Sequence, residues 1–351
     1  MSLPSGPIRE TFDKQAAYCA GPGQSPFTAR VLTLMMALLD ANSAIGRRVL
    51  AWPEAQAASD ALPLRVAAAF HHLSRSGHCP ELTQVYPPHR PDNEAFRAAF
   101  ENALGRFDAE LTSWLDGPPQ TNETGRSAVI LGVGLLLANR FGLPLETFEI
   151  GASAGLNLNA FRYKYDLGVG VWGEPESGVR VVSDWRGATP DLRGPLVVRS
   201  SIGCDVAPLD PSTDAERLMA YLWPDQPDRV ERMQSALEFA LVHPPQVELA
   251  DASDWIKAHV TPKHGVARML YHTLVWQYLP GYTRRAIEAS LASEGAAASD
   301  ASPLAWFRME ADQSGQPGAG LWMTLWPGGA VLNLGRADFH GRWVEWNVGS
   351  L

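Results

Sequence analysis

Cysteine is scarce in this chain: among 351 residues there are three, Cys19, Cys79 and Cys204, far apart and with no C-x-x-C pair. That spacing excludes the usual structural zinc site and supplies no disulfide framework. No metal is expected, and a reducing cytoplasm is the expected setting. The adjacent pair His71-His72 does not change this, because neighbouring helical residues do not share a face. Long apolar runs are also missing. The longest, Ala128 to Ala138, is too short to span a bilayer, so no membrane partner is expected. The N-terminus lacks the charged-then-apolar pattern of a secretory signal. Positive charge is in the minority, with a formal net charge of -9 and basic pairs only at Arg47-Arg48 and Arg284-Arg285. That argues against a nucleic-acid partner, whose phosphates call for clustered Lys and Arg. No internal repeat is visible.

What is present is ordinary for a globular protein, with 46% hydrophobic and 19% charged residues. The length suggests two domains, or one domain with an extension. The first third reads as helical. Val31, Leu34, Met35, Leu38 and Leu39 share one helix face. So do Phe96, Phe100, Leu104, Phe107, Leu111 and Leu115, after the start signal Pro91-Asp92-Asn93. Leu64 to Leu73 is a third helical segment, and no strand is expected before Leu145. Gly117-Pro118-Pro119 breaks the chain and sets the expected boundary. Residues 1–118 form a helical N-terminal region, expected to serve as a lid or substrate cap, and residues 119–351 a second domain.

A helix capped by Thr121 or Asn122 is expected from Gln120 to about Arg140. Beyond it, strands and helices alternate. The expected strands are Leu145–Ile150, Gly194–Cys204, Gln246–Ala250, Val266–His272 and Leu304–Glu310. The expected helices are Leu156–Tyr163, Thr213–Leu241, Ser253–His259 and Thr283–Ser293. Such alternation predicts an α/β fold with a mostly parallel, Rossmann-like sheet. Val179 to Trp185 reads as an extra strand in an insertion. Leu321–Trp326, Ala330–Leu334 and Trp343–Trp346, around the turn Pro327-Gly328-Gly329, give the sheet an antiparallel C-terminal end. Glu294 to Ser302, rich in Ala, Ser and Gly, reads as a flexible loop. The tail tryptophans Trp322, Trp326, Trp343 and Trp346 read as core.

Glu149-Ile150-Gly151-Ala152-Ser153-Ala154-Gly155 closes the first strand and opens a helix. Glycine there permits dihedrals and close approaches that a Cβ forbids, so bare backbone could reach a ligand. The same residues spell G-x-S-x-G, the nucleophile elbow of hydrolases. A tight corner with no ligand is the third reading. Ahead of it lies Asn122-Glu123-x-x-Arg126. Glu123 and Arg126 could hold an ammonium and a carboxylate, or form a capped helix start with an i,i+3 ion pair.

The pattern E-x-G-x-x-x-G resembles the first motif of class I S-adenosylmethionine-dependent methyltransferases, with Ser153 replacing the middle glycine. Ile202-Gly203-Cys204-Asp205 resembles that family's second strand, and Leu249-Ala250-Asp251-Ala252 its third motif. Met269-Leu270-Tyr271-His272-Thr273 resembles its fourth strand. The resemblance implies S-adenosylmethionine as cofactor. Gly151, Ser153 and Gly155 would approach its methionine part and Glu149 would order the amino group, while Glu123 and Arg126 would meet the two charges. Asp205, with Asp210 as the alternative, would take the ribose; Asp251 and the backbone of Ala252 would take the adenine. Tyr271 and His272 are the candidate catalytic residues, His272 as a base. Taken together, the Q-T-N-E-x-x-R, E-I-G-x-S-x-G-L-N-L, W-P-D-Q-P, Y-H-T-L-V-W-Q-Y-L-P and H-G-R-W-V-E-W segments resemble a bacterial family of uncharacterised function.

The expectation is therefore a methyltransferase acting on a small-molecule acceptor. The first alternative is a serine hydrolase with Ser153 as nucleophile, Asp251 or Asp254 as acid and His272 or His340 as base. Helices where such a fold builds strands, and the lack of an H-G-G-G-like loop, count against it. The second alternative is a non-catalytic Rossmann-like binding protein. A bend plugged by neighbouring side chains, or a hydroxyl there hydrogen-bonded to an imidazole backed by an acid, would end the reading of the bend as a cofactor cradle.

Overall fold

The computed structural model describes residues 6–351, so residues 1–5 of the expected N-terminal region lie outside the described residues. Two compact units are present. One comprises residues up to 121 together with 214–231; the other comprises 122–213 and 232–351.

The first unit is helical, with helices Gly6–Ala20, Pro26–Leu38, Ala44–Leu50, Leu62–Ser76, Pro80–Thr83 and Asn93–Ser113. Asp92 starts the last of these by accepting the Ala95 N–H at 2.8 Å, as the Pro-Asp-Asn signal predicts. Phe12, Leu32, Met35, Phe70, Phe96 and Phe100 are buried together in its core. Residues 214–231 belong here because of the W-P-D-Q-P motif. Trp223 joins the same core. Asp225 caps the helix Pro26–Leu38 through the Phe27 N–H at 2.8 Å and the Ser25 hydroxyl. Gln226 donates to the carbonyl of Gly23 at 2.7 Å. Pro224 also explains a correction. The expected helix Thr213–Leu241 is two helices, Ala215–Ala220 and Pro227–Val242, because proline removes an N–H and disfavours helix before it.

The second unit is built on twelve strands: β1 Leu145–Ile150, β2 Lys164–Asp166, β3 Val171–Trp172, β4 Arg180–Val182, β5 Asp184–Gly187, β6 Val198–Asp205, β7 Gln246–Leu249, β8 Ala267–Thr273, β9 Leu304–Glu310, β10 Ala319–Trp326, β11 Ala330–Ala337 and β12 Trp343–Trp346. Nine form one sheet in the order β5-β12-β11-β10-β9-β8-β1-β6-β7, and β3-β2-β4 form a small second sheet. The run β7-β6-β1-β8-β9 is parallel throughout. The hairpins β9-β10 and β10-β11 and the β11-β12 pair are antiparallel. The expected extra strand Val179–Trp185 is divided: β4 joins the small sheet and β5 the far edge of the large one.

Numbered by chain order within the parallel run, the spatial order is 3-2-1-4-5, with a reversal between β1 and β8. In open α/β sheets ligands bind outside the strands' carboxyl ends at such a reversal. The apolar stretch Ala128–Ala138 is the buried middle of a helix, Ser127–Phe141, that packs on β1 and β8. This helix begins after a 3₁₀ turn, Thr124–Arg126, not at Thr121 or Asn122. Asn122 instead accepts the Leu156 N–H at 2.8 Å. The expected helix Leu156–Tyr163 is a 3₁₀ segment, Leu156–Arg162. Buried hydroxyls of Tyr163 and Tyr165 donate to the carbonyls of Leu156 and Ala160 at 2.5 and 2.6 Å. Glu294 to Ala296 are helix rather than loop, in Gly281–Ala296, where Gly295 lies under the Trp326 ring.

Candidate functional site

Side chains of successive strand residues point to opposite faces. On one face of the central strands Phe148, Ile150, Leu270 and Trp306 join a core with Ile256, Ile287 and Leu291. The other face carries Glu149 and Tyr271, beside the 3₁₀ segment Leu156–Arg162. The Tyr271 hydroxyl lies 3.2 Å from Glu149 Oε2 and 3.3 Å from the carbonyl of Asn157. Glu149 is only 2% exposed. Burial pushes its pKa from the usual 4.5 up to about 8; Tyr271, Arg126 and the Asn157 side chain oppose the shift and Asp205 adds to it. Two more buried oxygens near this corner, Ser153 Oγ and Asn157 Oδ1, have no hydrogen-bond partner among the described residues.

The turn after β1 is left-handed at three alternate residues, Gly151 (φ 67°), Ser153 (φ 55°) and Gly155 (φ 69°). Its backbone is tied down from inside the protein. Ala152 N–H donates to the Cys204 carbonyl at 3.0 Å and Ser153 N–H to Asp205 Oδ2 at 2.8 Å. The other Asp205 oxygen accepts the Ala207 N–H at 2.8 Å. Asp205 thus orders the turn, with lone pairs remaining on both oxygens. The glycines are also accounted for by packing. A Cβ at Gly151 would lie 2.5 Å from Val275 Cγ2, and one at Gly155 would lie 2.7 Å from Pro245 and Val247. The bend is covered by Val275 and is not an open cradle.

Val275 is held there by the exit of β8. Leu274 has φ 57°, a left-handed backbone that is costly for a leucine. Glu310 Oε1, at the end of β9, accepts the N–H groups of Val275 at 3.0 Å and Trp276 at 3.2 Å. The same oxygen lies 2.6 Å from His272 Nδ1. The His272 ring is fully buried and stacks on Trp276, 5.1 Å between centroids. Its Nε2 has no partner among the described residues. His272 therefore faces away from Tyr271, and the structure does not bring the two catalytic candidates together.

The remaining candidates are engaged by the protein. Glu123 Oε1 accepts the Gly125 N–H at 3.0 Å and pairs with Arg232 at 2.8 Å. Arg126 donates to the carbonyls of Phe339 at 2.9 Å and Thr273 at 3.1 Å. Asp251 caps the helix Ala252–His259 through the Ser253 N–H at 2.8 Å, and Ala252 is the buried first residue of that helix. Asp210 forms an exposed turn with Ser212, 2.8 Å from its N–H. Glu149, Asp205 and Asp251 nonetheless stand at or just beyond the carboxyl ends of β1, β6 and β7, three neighbouring strands.

A sequence profile described as an uncharacterized protein conserved in bacteria, DUF2332, matches residues 9–346. The chain belongs to this bacterial family. No curated protein and no solved structure matches it. Among the described residues, no helix is long and apolar enough to cross a membrane, and no group of three or more His, Cys, Asp or Glu could hold a metal ion.

The H-G-R-W and T-N-E-x-G-R segments of the chain meet at a backbone contact. A Cβ on Gly125 would fall 2.1 Å from the His340 carbonyl, and one on Gly341 would fall 2.1 Å from the Gly125 carbonyl. Sequence reading missed Asn157, Arg232, Val275 and Glu310. Glu310 had a usable signal, an acid closing an expected parallel strand; Arg232 sits mid-helix and had none. The helical unit has its own cavity, about 300 Å³ with open solvent included, among Phe27, His71, Tyr86, Tyr221 and Trp223. Its one titratable imidazole, His71, is held neutral by burial, which lowers its pKa to about 4, and its Nδ1 lies 3.0 Å from the Ala220 carbonyl. We therefore place the functional site at the β1–β8 reversal.

Proposed function

We propose that this protein is an S-adenosylmethionine-dependent methyltransferase whose cofactor sits at the carboxyl ends of β1, β6 and β7. The observation that carries the reading is the row of acids, Glu149, Asp205 and Asp251, on neighbouring parallel strands at the strand-order reversal. The 3-2-1-4-5 order is that of dinucleotide folds, in which an acid after the second strand meets ribose hydroxyls. The free lone pairs of Asp205 suit that contact. Buried acceptors without partners, Ser153 Oγ and Asn157 Oδ1, suit a donor-bearing, positively charged ligand beside Glu149.

The bound cofactor would supply an electrophilic methyl group on sulfur. The chain's own contribution would be to hold and align, so that much of the acceleration comes from orientation. Because Val275 covers Gly151, the reading requires the segment after β8 to move off the bend. Leu274, at the root of that segment, holds a left-handed backbone that is costly for a leucine. Glu123 and Arg126 bind other parts of the protein, so they enter as supports of the corner and not as direct contacts to the cofactor.

Thermal unfolding with S-adenosylmethionine or S-adenosylhomocysteine tests the proposal. A ligand bound only by the native state raises the midpoint, by an amount equivalent to about 2.7 kcal/mol at one hundred times Kd. No shift with either compound at millimolar concentration would reject it. A second reading, serine hydrolysis, is favoured by the left-handed Ser153 and by His272 backed by Glu310 with Nε2 unpartnered. Against it, Ser153 Oγ makes no hydrogen bond to an imidazole. Labelling of Ser153 by a fluorophosphonate would replace the first reading with this one.

A further inference from the structure

Glu149 is buried in a setting that accommodates a protonated acid. The Tyr271 hydroxyl sits between two acceptors, Glu149 Oε2 at 3.2 Å and the Asn157 carbonyl at 3.3 Å, and it has a single hydrogen to give. With Glu149 ionised, that hydrogen is shared between the two acceptors; with Glu149 protonated, both contacts are full hydrogen bonds, Glu149 O–H to the Tyr271 oxygen and Tyr271 O–H to the Asn157 carbonyl. No Lys, Arg or His nitrogen among the described residues lies within 4.0 Å of Glu149 in a salt bridge, and burial outweighs the Arg126 charge that favours the carboxylate. A carboxylate that is 2% exposed and unpaired is costly. The surrounding titratable and charged groups are Tyr271 of β8, Arg126 of the 3₁₀ turn, Asp205 and Cys204 of β6, and Tyr163 after the second 3₁₀ segment. Of these only Arg126 is a cation, and its guanidinium donates to the Thr273 and Phe339 carbonyls.

We propose that Glu149 is a neutral acid in the ligand-free protein and releases its proton to solvent when a cationic ligand enters beside it, so that ligand uptake is proton-linked. The first half stands on the burial of Glu149 without a salt-bridge partner, together with the Tyr271 contacts; the second rests on the cofactor reading above. An ammonium or sulfonium brought next to Glu149 supplies the positive partner that the site lacks, and this favours the carboxylate. Near neutral pH one proton then leaves for each ligand bound, and the apparent affinity rises with pH, approaching tenfold per pH unit below the free group's pKa.

Infrared spectroscopy of the full chain tests the first half. At pH 7 the wild type is expected to show the carbonyl stretch of a buried neutral carboxyl, absent in Glu149→Gln and displaced in Glu149→Asp, and in wild type lost as pH rises through about 8. Absence of that band, or its persistence in Glu149→Gln, overturns the assignment. Should Glu149→Gln not fold, the Glu149→Asp displacement and the wild-type pH titration decide. Calorimetric titration with S-adenosylmethionine in two buffers of different ionisation enthalpy tests the second half. Release of about one proton is expected; binding without release overturns the linkage. If no binding occurs, the cofactor reading and the linkage fall together, while the infrared band still decides the state of Glu149.

Discussion

Trp223 to Pro227 in the helical unit and Glu149 to Gly155 in the sheet unit are both short motifs punctuated by Pro or Gly, yet their polar atoms end in different places. In the first, Asp225 caps a helix, Gln226 takes the Gly23 carbonyl and Trp223 fills the core. The motif is accounted for by folding. In the second, Asp205 and neighbouring carbonyls bind the turn's backbone, but the Ser153 hydroxyl remains without a partner and Glu149 is buried without a salt bridge. Buried polar groups are normally satisfied. Leftover atoms also occur elsewhere, such as the Tyr221 hydroxyl in the helical unit, so the proposed site rests on its place at the strand-order reversal together with Ser153 and Glu149. The glycines add nothing to it, because Val275, Pro245 and Val247 explain them by packing alone.

Substitutions can break this contrast or sharpen it. The largest effect is expected from Trp223→Ala, which removes a buried indole from the helical core and should destabilise the protein by about 3–5 kcal/mol in denaturant unfolding. A loss below about 1 kcal/mol would mean that the motif does not fold the unit as described. Gly151→Ala adds a methyl against Val275 at a left-handed residue and should cost about 1–3 kcal/mol. Val275→Ala should recover part of that in the double mutant. Strict additivity in the cycle would separate the two residues and remove the packing explanation.

The helices and strands were readable where pattern and length were strong. The alternating tail and the runs Leu145–Ile150 and Leu304–Glu310 predict their strands because apolar or β-favouring residues are bounded by turn signals. Pro224 was visible as a helix breaker inside Thr213–Leu241 and was outweighed by the length of the periodic segment. The face of His272 was also legible, since it adjoins Tyr271 in one strand. The partners of Glu123 and His272 were not, because Arg232 and Glu310 lie 109 and 38 residues away and local patterning carries no information on such distances. Val275 over Gly151 was hidden for the same reason.

Smaller effects complete the comparison. Glu149 binds a proton in the folded state from about pH 8 downward, whereas the unfolded carboxyl does so only near 4.5. Between those values the folded state holds the extra proton, so stability is full below the lower value and falls as pH rises through the upper one. The slope is about 1.4 kcal/mol per pH unit. Glu149→Gln should flatten it; an unchanged pH profile of unfolding would exclude a raised pKa at this residue. Asp225→Ala should cost about 1 kcal/mol in denaturant unfolding through the lost cap. No measurable loss would remove Asp225 from the folding of the helical unit.

The central claim is that the acids at the carboxyl ends of β1, β6 and β7 receive a nucleoside-bearing sulfonium. Equilibrium dialysis of the full chain against labelled S-adenosylmethionine, with wild type beside Asp205→Ala, addresses it directly. The account predicts saturable binding at one site per chain, weakened by about 1–3 kcal/mol in the variant through the lost ribose hydrogen bonds. Binding of equal strength in both proteins would remove Asp205 from the site, and absence of binding in the wild type would contradict the account.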